Sequence, residues 1–377
     1  MNELTKPIRV LHVLSAMSMA GTETLLMNIY RNIDRNKIQF DFAVSSTEEC
    51  DYDREIESLG GKIFHYPRYT GKNHFQYKKW WNHFLEEHPE YHIVHGHIGS
   101  TASIYLKIAK NKGRFTIAHS HSTKSTPSLH SYLYSIYAFP TRYIADFFFG
   151  CSKQALIDRY GTKVAENKNR SKVLNNAIDA EKFVFNPDIR EQIRSEYSVS
   201  DTDTIIGTVG RLTIQKNPFE IIKICKELKN RGVDFKFWWF GKGDLENKIK
   251  ETIKSECLED VIKLMGTRSD VNNTLQGMDI FLFPSLWEGL GIACVEAQAA
   301  GLPTLCSNTI PTEAKVCDQC VYLPLNDTKA WCDEIERLIK IIKTKSYIRP
   351  NTFQSVLDAE YDISGITKYL EGFYSKI

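Results

Sequence analysis

Short runs of apolar, β-branched and aromatic residues alternate with helix-period segments almost from one end of this 377-residue chain to the other. That alternation admits few folds, because strands covered on both faces by crossover helices lie parallel in one sheet. In the first half the runs are 9–14, 39–44, 62–65, 92–95, 115–118 and 146–149. Between the first two, Leu25, Leu26, Ile29, Tyr30 and Ile33 of "TETLLMNIYRNI" recur with helical spacing. The pattern lapses at "VLNNAIDAEKFVFNP", residues 173–187, where Asn, Asp and Pro cluster. It then restarts, with strands over 204–209, 235–240, 261–265, 279–283 and 304–306 and helices centred near 224, 250, 273 and 296. The fold class is therefore α/β, with two Rossmann-like, doubly wound parallel-sheet domains over residues 1–177 and 178–356. An amphipathic helix over about 357–377 follows and can pack back on the first. The chain's length agrees, since it exceeds what one ordinary core supports.

Composition excludes several classes. With 42% hydrophobic and 25% charged residues the chain is a folded protein, and a formal charge of +2 does not mark a nucleic-acid binder. "MNELTKPIRVLHVLSAMSMAG" has basic residues before an apolar run, but the run is short, contains His12 and leads into Gly21 as a first strand would. No segment approaches the roughly 20 apolar residues of a membrane span. A cytoplasmic location is expected, with the nine cysteines reduced. "CDQC", Cys317 to Cys320, has redox or metal spacing, but no second pair and no nearby His completes a zinc site, so no metal is expected.

Ligands of doubly wound sheets bind beyond the carboxyl ends of the strands. After the strand "TIIGTV" comes "GRLTIQKN", which places Gly210, Arg211 and Lys216 in such a loop; after "DIFLFP" comes "SLWEGLGIACVEAQAAGLP", which places Glu288, Gly289, Leu290 and Gly291 in another. The glycines allow backbone to approach a ligand, and the helix that starts there points free N–H groups and a positive dipole end at it. With Arg211 and Lys216 this makes a site for a diphosphate. Glu296, in the second turn, suits the hydroxyls of a ribose. Eight residues at about 1.5 Å each separate Glu288 and Glu296 by roughly 12 Å. A retaining glycosidase needs its pair at about 5 to 5.5 Å, which disfavours that mechanism. "GLGIAC" partly matches the dinucleotide fingerprint, but Cys294 replaces its third glycine and the next strand, "TLCSN", ends without the acidic residue.

"EGLGIACVEAQAAGLP" resembles the E-x7-E motif of family 4 glycosyltransferases of the GT-B fold, and "GRLTIQKN" their G-R-L…K motif. The likeness spans nearly the whole chain. "AGTET" is similar to the N-terminal glycine-rich loop, "VHGH" and "IAHSHS" to histidine-bearing strand ends, "VLNNAID" to the inter-domain segment and "FGKGDLE" to a later turn. "MNIYRNIDRNKIQFDF" and "EAQAAGLPTLCSNTIPTEAKV" are similar to bacterial enzymes that assemble capsular and exopolysaccharides.

The resemblance implies two domains facing across a cleft and a retaining, metal-independent transfer of a sugar from a nucleotide diphosphate, a UDP-sugar, to a saccharide or lipid-linked acceptor. By analogy Arg211 and Lys216 neutralise the leaving diphosphate, Glu296 holds the ribose, and Glu288 with the backbone of Gly289, Leu290 and Gly291 orients the sugar. His119 matches the family's cleft histidine, with His121 an adjacent candidate. Gly21 matches the loop near the donor phosphate, and backbone at Gly266 and Arg268 would meet the base. Ala20 stands where the family's loop often has its first glycine, a departure expected to shift that loop. His12, His95 and His97 read as structural. "FQYKKWWNHF", with Lys78, Lys79, Trp80 and Trp81, suits either an anionic membrane surface, and so a peripheral position on the inner face of the cell membrane, or a core-facing helix with solvated lysines. Two alternatives remain open at this point: a sugar-nucleotide epimerase of the same architecture, and a non-catalytic nucleotide-binding partner subunit.

Overall fold

The computed structural model describes residues 6–121 and 135–377. Residues 1–5 of the candidate leader and Ser122 of "IAHSHS" lie outside the described residues. Two compact units divide the chain, one of Met1–Ile178 with Ile363–Ile377 and one of Asp179–Asp362.

Among the described residues of the first unit seven strands form one sheet: β1 (Ile8–Leu14), β2 (Ile38–Val44), β3 (Ile63–His65), β4 (Ile93–Gly96), β5 (Phe115–Ser120), β6 (Phe147–Gly150) and β7 (Ser171–Val173). Their order is β3-β2-β1-β4-β5-β6-β7 and every pairing is parallel. Alternation along β1 builds a core on each face. Val10 and Leu14 pack with Leu25, Ile29 and Tyr30 of the helix Gly21–Asn32, while Leu11 and Val13 pack with Tyr77 and Trp81 of the helix His74–Glu87. The last helix, Ile363–Tyr374, lays Ile363, Ile366, Leu370 and Tyr374 on the first of these faces. It is shorter than the 357–377 read from the sequence, because Phe353–Asp358 is a separate helix of the other unit.

Of the Lys78 to Trp81 stretch, the two tryptophans face the core. Trp81 is fully buried and stacks on Tyr105 at 5.3 Å, and half-buried Trp80 stacks on Phe84 at 4.9 Å. Burying a large apolar side chain contributes roughly 1.5 to 3 kcal/mol, which an interfacial Trp81 would forfeit. The membrane reading therefore loses that tryptophan, leaving Lys78, Lys79 and Phe75 exposed on the helix. Among the described residues, no helix is long and apolar enough to cross a membrane.

In the second unit β8 (Ile205–Val209), β9 (Lys236–Phe240), β10 (Ile262–Gly266), β11 (Ile280–Phe283), β12 (Thr304–Ser307) and β13 (Cys320–Leu323) form a parallel sheet in the order β10-β9-β8-β11-β12-β13. Ile206, Phe237, Trp239, Leu282 and Leu305 pack on Leu228 and Ile335. The edge strands β7 and β13 are the ones the sequence pattern did not announce; each is short and, among the described residues, pairs with a single strand. β13 also separates the cysteines of "CDQC". Cys320 Sγ lies 3.8 Å from Cys306 Sγ, whereas Cys317 Sγ faces Gln298 Oε1 at 3.5 Å, and all nine thiols are free.

Strand order reverses between β1 and β4 and again between β8 and β11, so the loops leaving those pairs diverge and open a crevice in each unit.

Candidate active site

At the β8 and β11 reversal the two sequence-predicted loops meet. The Leu286 N–H donates to Gln215 O at 2.8 Å, and Gln215 Nε2 donates to Trp287 O at 3.0 Å. The loop after β8 is anchored by Gly210 N–H to Phe240 O at 2.9 Å and Leu212 N–H to Lys242 O at 3.1 Å. That packing demands glycine on the other side: a Cβ on Gly241 would lie 2.0 Å from Gly210 O. After β11, Gly291 takes φ +91 and opens the helix Ile292–Ala299, a turn that side-chain-bearing residues resist.

The charges are paired rather than spread. Lys216 Nζ lies 2.6 Å from Glu288 Oε1, and Gln215 Nε2 donates to Glu288 Oε2 at 3.2 Å. The side chains of Lys216 and Glu288 are 18% and 9% exposed. The ammonium also sits 4.5 Å from the Phe283 ring centre, a cation–π contact. The Lys216 stem passes Gly210 so closely that a Cβ there would meet its Cε at 3.1 Å. The sequence assigns Lys216 and Glu288 to separate parts of a ligand; the structure joins them in one half-buried pair. Arg211 is exposed and enters no ion pair among the described residues, so it is the cation of this loop left over for an anion. Glu296 is partly buried, and burial pushes its carboxyl up to about 7 against the opposing pull of the Lys216 charge.

Leu290 is buried and Gly289 half-buried between Glu288 and Gly291. Gly266 ends β10 at φ +72 facing open space, and its carbonyl accepts from Gly241 N–H at 2.7 Å. Arg268 is committed elsewhere. It makes two 2.8 Å hydrogen bonds to Asp270, another of 2.8 Å to Tyr197 Oη, and one to Glu196. These carboxylates hold its guanidinium above the usual range, and its backbone is what remains for a ligand. Gln215 and Phe283 were missed in the sequence; Gln215 stands beside Lys216 in "IQK", but nothing in the spacing shows which side chain turns inward.

The remaining predicted residues belong to the first unit. Gly21 starts the helix Gly21–Asn32 and is exposed. Ala20 before it takes φ −130 and ψ 168, extended backbone that any residue adopts, so the expected shift of that loop by its methyl group has no conformational cause. His119, on β5, is 3% exposed and neither of its ring nitrogens has a partner among the described residues. Burial and neighbouring imidazoles hold it well below the usual imidazole range. His121 packs on it with ring centres 4.0 Å apart.

Two doubly wound units, one with a cation–carboxylate pair and a helix N-terminus at its strand-order reversal, have the architecture of the GT-B glycosyltransferases. The model of the family described as glycosyl transferases group 1 matches residues 189–354. EpsF of Bacillus subtilis (strain 168), which carries the name of a glycosyltransferase, is 30% identical over 370 residues, 95% of each chain. The UDP-Gal:alpha-D-GlcNAc-diphosphoundecaprenol alpha-1,3-galactosyltransferase of Escherichia coli is 34% identical over 142 residues, 36% of each chain. The crystal structure of HepE from Anabaena in complex with UDP matches with a TM-score of 0.81 at 15% identity, covering 98% of this chain and 100% of that one. This chain belongs to the group 1 glycosyltransferases.

Proposed function

We propose that the protein moves a sugar from a UDP-sugar to a saccharide or lipid-linked acceptor in polysaccharide assembly, with retention of anomeric configuration and without a metal ion. The observation that carries this reading is the Lys216–Glu288 pair, braced by Gln215, where the β8 and β11 loops meet beside the helix Ile292–Ala299. The UDP held by HepE and the UDP-Gal donor and lipid diphosphate acceptor in the name of the E. coli relative support the choice of ligands.

As the bond from the sugar to phosphate breaks, negative charge grows on the diphosphate, and groups fixed beforehand stabilise that state more than the ground state. Arg211 supplies a planar fork and Lys216 a point charge, already fixed by Glu288 and Phe283. Glu288, with backbone at Gly289, Leu290 and Gly291, orients the sugar. Glu296 accepts from the ribose hydroxyls, and backbone at Gly266 and Arg268 meets the base. From the first unit the family pattern assigns His119 and Gly21 to the same reaction. Glu288 spends one oxygen on Lys216 and the other on Gln215, which suits a positioning role over that of a covalent nucleophile. The acceptor hydroxyl attacks the anomeric carbon on the face the phosphate leaves, and its proton passes to the departing phosphate oxygen.

Thermal stabilisation across a panel of nucleotide sugars identifies the donor, because a ligand of the native state raises the melting point. With that donor, mass spectrometry of an acceptor series is expected to show an added sugar, NMR a retained anomeric configuration, and EDTA no effect. Glu288→Ala is expected to abolish transfer. An isomerised nucleotide sugar would establish an epimerase instead, and donor binding with neither transfer nor hydrolysis a non-catalytic subunit.

A further inference from the structure

Five histidines converge at the carboxyl ends of three neighbouring strands in the first unit. His12 lies on β1, His95 on β4 with His97 just beyond it, and His119 on β5 with His121 just beyond it. His12 and His95 stand opposite one another in register. Two spacings of one residue, "HGH" and "HSH", put both histidines of each strand on the same face.

The imidazoles are linked in a row: His12 Nδ1 to His97 Nε2 at 3.0 Å, and His97 Nδ1 to His121 Nε2 at 2.8 Å. A neutral imidazole has one N–H and one acceptor nitrogen, so the protons in this row must all point the same way along it. His95 Nδ1 lies 2.7 Å from Tyr374 Oη. The row leaves much unsatisfied. His12 Nε2, His95 Nε2, His121 Nδ1 and both nitrogens of His119 are buried without partners among the described residues. Native interiors rarely leave so many polar atoms orphaned in one place.

We propose that His97, His119 and His121 form a binding site for a divalent transition ion of zinc's kind. Imidazole nitrogen suits such ions, and three histidines with an open fourth position are an established donor set for zinc. The three donor atoms all lie within 4.8 Å of one another. Tetrahedral zinc at about 2.05 Å from each nitrogen separates them by roughly 3.4 Å. The 2.8 Å contact of His97 with His121 therefore opens by a few tenths of an ångström while His119 draws in. His97, His119 and His121 are preferred over His12, His95 and His97, which also lie within reach of one ion, because His97 and His121 are half-buried and give an ion a way in, and because His119 brings two unengaged nitrogens.

The test is titration of the full chain, freed of any polyhistidine tag, with Zn²⁺ by calorimetry and with Co²⁺ by visible absorption. One tight ion per chain with the intense bands of four-coordinate Co²⁺ is expected. His121→Asn and His97→Asn are expected to lose that ion with circular dichroism unchanged, and His12→Asn to keep it. Should His97→Asn misfold, His121→Asn alone decides. No ion bound below about 10 μM, an ion retained in His121→Asn, or an ion lost in His12→Asn but kept in His121→Asn would overturn the assignment. A consequence for catalysis rests on the proposed function: loading engages His119, so transfer is expected to fall with occupancy and recover with EDTA. Undiminished transfer at full occupancy would remove His119 from the reaction while leaving the metal site standing.

Discussion

Replacing Lys216 by Met isolates the energetics of the candidate site. Met keeps most of the stem that fills the space beside Gly210 and removes the ammonium. Opposite unit charges 2.6 Å apart attract by about 6 kcal/mol at an effective dielectric constant of about 20. Desolvating both groups takes back several kcal/mol, so the net value of the pair is small. The single substitution is costlier, because it leaves the Glu288 carboxylate 9% exposed with Gln215 as its one remaining side-chain partner among the described residues. We expect Lys216→Met to destabilise the second unit by roughly 3 kcal/mol. Glu288→Gln should cost less, about 1 to 2 kcal/mol, since Lys216 is the more exposed partner and keeps its contact with Phe283. The double variant should then lose less than the two singles together, with a coupling of about 1.5 kcal/mol or more. Urea unfolding followed by tryptophan fluorescence reads this, as Trp238, Trp239, Trp287 and Trp331 lie in that unit and Trp80 and Trp81 provide the other unit's signal. Additive losses, with coupling below about 0.5 kcal/mol, would refute the claim that Lys216 and Glu288 act as one preset group.

That pairing was the least legible part of the chain. Periodicity placed eleven of the strands, most of them buried on both faces and therefore apolar throughout, as in "IIGTV" or "FLF"; it passed over "SKV" and "CVYL", which are short and lie at sheet edges, as the recognised "IFH" and "IKLMG" also do. The loops bearing Arg211, Lys216, Glu288 and Gly291 were legible because glycine and charge at strand ends follow from backbone sterics and the position of the strands. What a charge does there was not, since Arg211 and Lys216 look alike in the sequence and differ only in what faces them: open space for one, Glu288 and Phe283 for the other. The histidines show the same limit. One by one His12, His95 and His97 read as structural, and only the adjacency of β1, β4 and β5, fixed by crossovers many residues long, shows that five rings share one face.

Three further outcomes follow from the site. Arg211→Ala is expected to weaken UDP binding roughly ten- to hundredfold, measured by calorimetry, while leaving stability within about 0.5 kcal/mol, because the side chain is exposed and unpaired among the described residues. Gly291→Ala is expected to destabilise by roughly 2 to 4 kcal/mol in a thermal or urea melt, combining a residue at φ +91 with a Cβ 2.9 Å from the Phe283 ring; an unchanged melt would show that the turn is not fixed as described. The last concerns pH. The Glu296 carboxyl, raised to about 7 by burial, is largely protonated at pH 6 and charged at pH 8. Its charged form is the stronger acceptor for ribose hydroxyls. Affinity for the UDP-sugar should therefore rise as pH climbs from 5.5 to 7 and level off above, and Glu296→Gln should flatten the profile. The free protein should respond in the opposite sense. A carboxyl whose pKa is higher folded than unfolded contributes stability below the unfolded value that is lost as pH rises through the folded one, here up to about 3 kcal/mol between pH 4.5 and 8. Wild type should thus lose stability relative to Glu296→Gln over the range in which it gains affinity. Affinity and stability moving together with pH would show that the carboxylate does not meet the ligand.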